Sequence, residues 1–255
     1  MNIDLEKAKK QFQKYVKNYN PEDEQIKIKI AHIERVAINS RKIAEELNLN
    51  TEDIELAELI GLLHDIGRFE QVRIYHTFLD KDSINHGELG VHILFEQGLI
   101  REFVEDNKYD SIIKTAILNH NKAKIEENLT EQELLHSKII RDADKTDIYY
   151  VLRNGDIKAI WGKEDISDDE ISDEIYRQFL EDKVINYKDV KTSADLLLCY
   201  FAYVYDLNFK EAIKIIKNNK YIDQLYERFT FKDKETSERY NKVYQEAKKY
   251  LEEKG

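Results

Sequence analysis

The chain has 255 residues and seven histidines, and the neighbours of those histidines carry the chemistry. His64 and Asp65 are adjacent in the apolar stretch ELIGLLHDIG, flanked by Leu62, Leu63 and Ile66. An imidazole and a carboxylate in such surroundings are costly to bury without a charged partner or a metal. Successive residues of a helix differ by about 100° in direction, so both side chains can reach one cation beside it. Asp144 poses the same problem in IIRDADKTDIYYVL, where it shares a helix face with Ile140, Ile148 and Val151. Asp142 and Asp147 point around that helix and are compatible with solvent. His120 follows Ile113, Ala116 and Ile117, and His32 lies just off the face of Ile33 and Val36. One such histidine is ordinarily a core residue with a single satisfied hydrogen bond. Four helices each directing a His or Asp this way are explained together by a common cation.

Imidazole nitrogen with carboxylate oxygen suits Mn, Fe, Co, Ni or Zn, and Mg where oxygen and water dominate the shell. The single cysteine, Cys199, excludes both an internal disulfide and a thiolate zinc site. A metal with positions left open by such a donor set is catalytic in character, because it activates water and can hold phosphoryl oxygens.

The elements that must position these groups are helices. Eight glycines and one proline, Pro21, leave little punctuation for hairpins, and apolar residues recur at three- and four-residue steps throughout. The periodicity predicts helices over 5–16, 31–47, 87–97, 111–119, 131–152, 169–182, 193–206, 209–218 and 234–253. Another runs from Thr51, read as its N-cap, through His64-Asp65. The fold class is all-α. The acidic segment KEDISDDEISDE (163–174) reads as a helix start after Ser167 or as a linker. The Tyr- and Phe-rich chain beyond it reads as core.

In this order, His32, His64-Asp65, His86, His120 and Asp144 resemble the HD-domain superfamily of metal-dependent phosphohydrolases, a likeness spanning roughly residues 26–152. HIERVAINSRKIAEEL resembles the family's first ligand helix, LLHDIGRFEQ its central motif and DADKTD its closing aspartate motif. Thr146 departs from the last, where leucine is more usual. The resemblance implies an HD-domain helical bundle over residues 1–155, with a helical C-terminal extension, 156–255, packed on it. It further implies a divalent metal, one or two per chain. His32, His64, Asp65 and Asp144 match the first metal site, and His86 and His120 the extra histidines of members that bind two metals, where Asp65 would bridge. Asp65 would also orient the attacking water. Arg68, one turn beyond His64 on the same helix face, matches a basic position facing the substrate phosphate; otherwise it is a surface arginine. Lys145 is a weaker candidate of that type.

The activity implied is hydrolysis of a phosphate ester of a nucleotide or another small phosphorylated metabolite. Two other readings use the same framework: a di-iron oxygenase, and a non-catalytic module that binds a nucleotide and signals. A formal charge of −11 argues against coating long nucleic acid or an anionic membrane. Residues 1–17 are charged throughout, and the longest apolar run, LLLCYFAYVY, is too short to span a bilayer, so the expectation is a cytoplasmic protein without membrane partners. His92, six residues after His86, points away from it, His76 reads as a loop residue, and His136 has no functional reading. The extension is expected to close the pocket or make a homodimer contact, with Asp195 and Tyr200 as pocket candidates.

Overall fold

The computed structural model describes residues 3–255, and among them there are helices and connecting turns but no strand. The chain divides into two compact units, the first ending at Asp147 and the second running from Ile148 to Gly255.

In the first unit, α1 (Leu5–Val16) buries Ala8, Phe12, Tyr15 and Val16 at three- and four-residue steps, and Asp4 caps it by accepting from the Lys7 N–H. Helix α2 (Glu24–Glu46) starts at Asp23, whose carboxylate accepts from the N–H groups of Gln25 and Ile26. Helix α3 (Thr51–Leu63) is the central element, buried on most sides through Leu56, Leu59, Ile60, Leu62 and Leu63. Its N-cap is Asn50, one residue before the expected Thr51, because the Asn50 side chain accepts from the Asp53 N–H.

The helix expected to run through His64-Asp65 stops there. Asp65 leaves helical geometry at φ −108° and ψ 18°, and α4 (Ile66–Tyr75) sets off from it. His64 and Asp65 therefore occupy a corner between two helices, and Arg68 belongs to the second of them rather than to the helix that ends at His64. Helix α5 (His86–Val91) continues into a π-helical turn over His92–Glu96, and α6 (Ile100–Phe103), α7 (Asp110–His120) and α8 (Glu131–Asn154) complete the set.

Two close approaches fix the relative positions of these helices. A Cβ on Gly61 would fall 2.7 Å from the Ala37 Cα, so only glycine lets α3 approach α2 this closely. A Cβ on Gly67 would fall 2.3 Å from the His86 carbonyl oxygen and 2.6 Å from the Gly90 nitrogen, which seats α4 directly on α5.

The second unit has its own core, in which Phe179, Leu197, Leu198, Phe201, Val204 and Val243 are wholly buried. Its helices are α9 (Ile157–Trp161), α10 (Asp173–Arg177), α11 (Ser193–Ala202), α12 (Lys210–Asn218), α13 (Tyr221–Arg228) and α14 (Lys234–Lys254). The acidic segment is neither a helix start at Ser167 nor a loose linker. Helix begins only after Ser172, and Ile166 and Ile171 anchor the preceding turns in the core. The fully buried Asp195 is spent structurally, accepting from the Ser172 N–H and hydroxyl and from the Lys191 N–H. The Tyr200 ring stacks on Trp161, 6.0 Å between centroids. No helix among the described residues is long and apolar enough to cross a membrane.

Candidate metal centre

Four helices and one corner converge on the six residues. His32 comes from the middle of α2, His64 and Asp65 from the α3–α4 corner, His86 from the start of α5, His120 from the end of α7 and Asp144 from α8. The four imidazoles and Asp65 are buried, between 0 and 4 % exposed, while the Asp144 side chain keeps 16 %.

Each imidazole is tied down through Nδ1. His64 donates to the Gly61 carbonyl at 2.7 Å and His120 to the Ile117 carbonyl at 2.6 Å. A carbonyl can only accept, so in both rings the proton sits on Nδ1 and the Nε2 lone pair faces inward. His32 Nδ1 lies 2.7 Å from Asp147 Oδ2, and His86 Nδ1 lies 2.7 Å from Asp80 Oδ2. These carboxylates assign the same tautomer. Such second partners fix ring orientation and raise the basicity of the opposite nitrogen.

The inward atoms fall into two groups that share Asp65. Around Asp65 Oδ2, His32 Nε2 and His64 Nε2 each lie at 3.6 Å. Asp144 Oδ1 is 3.1 Å from His32 Nε2 and 3.7 Å from His64 Nε2. Around Asp65 Oδ1, His86 Nε2 lies at 3.3 Å and His120 Nε2 at 3.6 Å, and the two nitrogens are 2.9 Å apart. Donors about 2.1 Å from a cation are separated by about 3.0 Å at right angles and about 3.4 Å at the tetrahedral angle. The spacing suits chelation in both groups. The Nε2 atoms of His32 and His64 and Asp65 Oδ1 are buried without a hydrogen-bond partner. Buried polar atoms in that state call for a partner, and a cation between them would supply one.

For His64, His86, Asp65 and Asp144, electrostatics favour the ligating protonation states. Burial drives the His64 imidazole below its ordinary value, and burial with the Arg68 charge pushes His86 down to about 3. Burial alone would raise the Asp65 carboxyl, but Lys29 and the surrounding imidazoles outweigh it and hold it well below the carboxylate range. Asp144 is likewise held low against burial by the neighbouring His32 and His64 imidazoles.

Several supporting residues carry no local sequence signal. Asp147, expected to be compatible with solvent, is buried and clamped by Arg35, whose Nε lies 2.6 Å from Oδ1. Asp80, in the turn before α5, also accepts from Arg68 Nη1 and Gln71 Nε2, each at 2.9 Å. The buried Arg141 guanidinium donates to the carbonyls of Asn119 and Lys122, where α7 ends beside His120. Lys29 places Nζ 2.6 Å from Asp65 Oδ2. Arg68 is only 14 % exposed, with Nη1 committed to Gln71, the Phe78 carbonyl and Asp80, and its Nε 3.7 Å from Asp65 Oδ1. Lys145 is buried next to Asp144 on α8.

The remaining histidines stay outside the centre. His92 is exposed and pairs with Glu96, His76 ends α4 in a left-handed conformation, and the buried His136 bonds Asp53. Thr146 turns its hydroxyl back onto the Asp142 carbonyl, so the departure from leucine affects packing within α8 and leaves the inward face unchanged.

The sequence of this region matches the HD domain. Residues 30–149 are an HD domain. No curated protein and no solved structure matches the chain. The buried His/Asp cluster of this HD domain is consistent with a metal-dependent phosphohydrolase.

Proposed function

We propose that the protein is a phosphohydrolase that uses divalent metal to cleave a phosphate ester of a nucleotide or another small phosphorylated metabolite. The observation that carries this is the alignment of four imidazoles, each with Nδ1 spent on an acceptor and Nε2 turned toward Asp65 or Asp144. His32, His64, Asp65 and Asp144 would hold one cation, and Asp65, His86 and His120 a second, a division drawn from the inward distances. A cation held there supplies Lewis acidity toward a phosphoryl oxygen and lowers the pKa of a water.

The chain's own residues do the rest. Asp65 orients the attacking water from the corner between α3 and α4. Asp144, Lys29 and Arg68 keep 14–16 % solvent exposure, so the substrate approaches from their side. Arg68 neutralises charge building on the equatorial phosphoryl oxygens, with Lys145 in support. The burial of the four imidazoles and Asp65 excludes water and strengthens each of these interactions. The acidic exterior favours small substrates over long polyanions.

The test is a screen of metal-reconstituted protein against phosphomonoesters, cyclic nucleotides and nucleoside triphosphates, following phosphate and pyrophosphate release. Turnover of at least one class is expected, with Asp65→Ala losing most bound metal and nearly all turnover. Full metal content and undiminished turnover in Asp65→Ala would end this reading.

A further inference from the structure

Asp65 has a basic side chain beside each of its oxygens. Arg68 stands by Oδ1 but is bound through Nη1 to Asp80, which has its own place holding His86. Lys29 stands by Oδ2, the oxygen that faces His32 and His64. It lies one turn before His32 on α2, so the helix that delivers the first imidazole also delivers this ammonium. The Phe78 ring lies 5.3 Å from Nζ and contributes a cation–π contact.

The charges around the centre separate into pairs. Asp147 is matched by Arg35 and Asp80 by Arg68. Asp65 and Asp144 remain, and Lys29 is in contact with the first of them. A divalent cation between His32, His64 and Asp144 would take Oδ2 as its fourth donor. It would then stand within a few ångströms of the ammonium, where like charges repel strongly in a site this buried.

We propose that Lys29 is a built-in counter-cation that competes with the metal for Asp65. It neutralises Oδ2 while the centre is metal-free and retreats past Phe78 toward the mouth when metal enters. This rests on reading the cluster as a metal centre. Two consequences follow from the competition. The metal-free protein keeps its fold, because its buried carboxylate is never left alone, and the metal binds more weakly than its donors alone dictate.

The experiment compares wild type with Lys29→Met and Lys29→Gln in the full chain, stripped of metal and titrated with Mn2+. Both variants are expected to bind Mn2+ at least about tenfold more tightly, the scale on which one nearby charge shifts a binding equilibrium. Metal-free variants should melt below metal-free wild type, while the Mn2+-saturated forms melt alike. If the stripped variants do not fold, they are purified metal-loaded and their Mn2+ is competed away with a chelator, which should demand more chelator than wild type. Affinity equal to or weaker than that of wild type overturns the proposal, since a lysine that orients Asp65 would be missed by the metal. Wild type that binds no Mn2+, Co2+ or Zn2+ overturns the metal centre itself, a result distinct from unaltered affinity in the variants.

Discussion

His32 is held between two carboxylates that lie one turn apart on α8: Asp144 Oδ1 sits 3.1 Å from Nε2, and Asp147 Oδ2 sits 2.7 Å from Nδ1. One helix therefore supplies both a neighbouring donor and the group that aims the ring. Replacing Asp147 with Asn removes the charge that polarises the imidazole while keeping its shape. Metal affinity should fall about 10–100-fold, the usual cost of losing a carboxylate behind a ligating histidine. Isothermal titration with Mn2+ would show it, and unchanged affinity would rule out a supporting role for Asp147.

Asp65 joins the two donor groups, so their occupancies can be separated by mutation. His120→Ala removes a donor from the Oδ1 side alone and leaves His32, His64 and Asp144 in place. If both groups are filled, bound metal per chain should fall from two to one, with turnover severely reduced. If only the Oδ2 side is filled, stoichiometry stays at one and the loss of turnover is mild. Metal content by atomic emission after His120→Ala reads the difference directly, and a chain left with no metal at all would contradict both arrangements.

His32, His64, Asp65, His120 and Asp144 are legible from the apolar residues around them at helical spacing, whereas His86 is legible only through the family resemblance. The residues behind them are not. Asp147 and Asp142 look alike in DADKTD, and Asp147 is singled out only by contacts with His32 and Arg35, more than 100 residues away in the chain. Asp80 lies in a turn, where no periodicity exists to mark it. The break at His64-Asp65 carries no local signal either, since ELIGLLHDIGRF has neither a proline nor a polar turn. What stops the helix there is tertiary: Gly67 must reach the His86 backbone, and the chain bends at Asp65 to allow it. In the second unit the aromatic residues were legible as core, whereas the non-helical path of 163–172 was set by burial of Ile166 and Ile171 against the helical pattern.

That bend yields a stability prediction. Alanine at position 67 places a methyl group on the His86 carbonyl oxygen and the Gly90 nitrogen, both rigid backbone atoms. Helices α4 and α5 must separate, at a cost of about 1–3 kcal/mol or more, and His86 moves away from Asp65 Oδ1. Urea unfolding of Gly67→Ala should give a lower midpoint, and Mn2+ binding should weaken in parallel. A variant as stable as wild type would show that the contact is looser than described.

Acid should destabilise the metal-free protein well before its carboxylates titrate in the unfolded chain. His64, His86 and His136 are all driven below the ordinary histidine value, chiefly by burial, with His86 at about 3. Above pH about 6.5 these groups are neutral in both states and make no difference. Below it the unfolded chain takes up protons that the folded chain refuses, so stability falls with pH. His32, raised because Asp144 and Asp147 outweigh burial and Lys29, acts in the opposite sense but is one group against three. Urea midpoints in chelator should be lower at about pH 5.5 than at about pH 7.5, and His136→Phe should shrink the difference. A midpoint that rises toward the acid side would contradict the burial of these rings.

Cys199 reports on the second unit independently of the metal. It lies on α11 with its thiol buried, and burial together with the nearby Asp195 carboxylate pushes its pKa up to about 12. An exposed thiol titrates at about 8.5, so at mildly alkaline pH the native chain holds at least about a thousandfold less thiolate. Modification by a disulfide reagent should therefore wait for unfolding of the second unit, and its rate should climb with urea along the unfolding curve. Prompt stoichiometric labelling of the native protein would mean that α11 is accessible and that the core around Leu197, Leu198 and Phe201 is not packed as described.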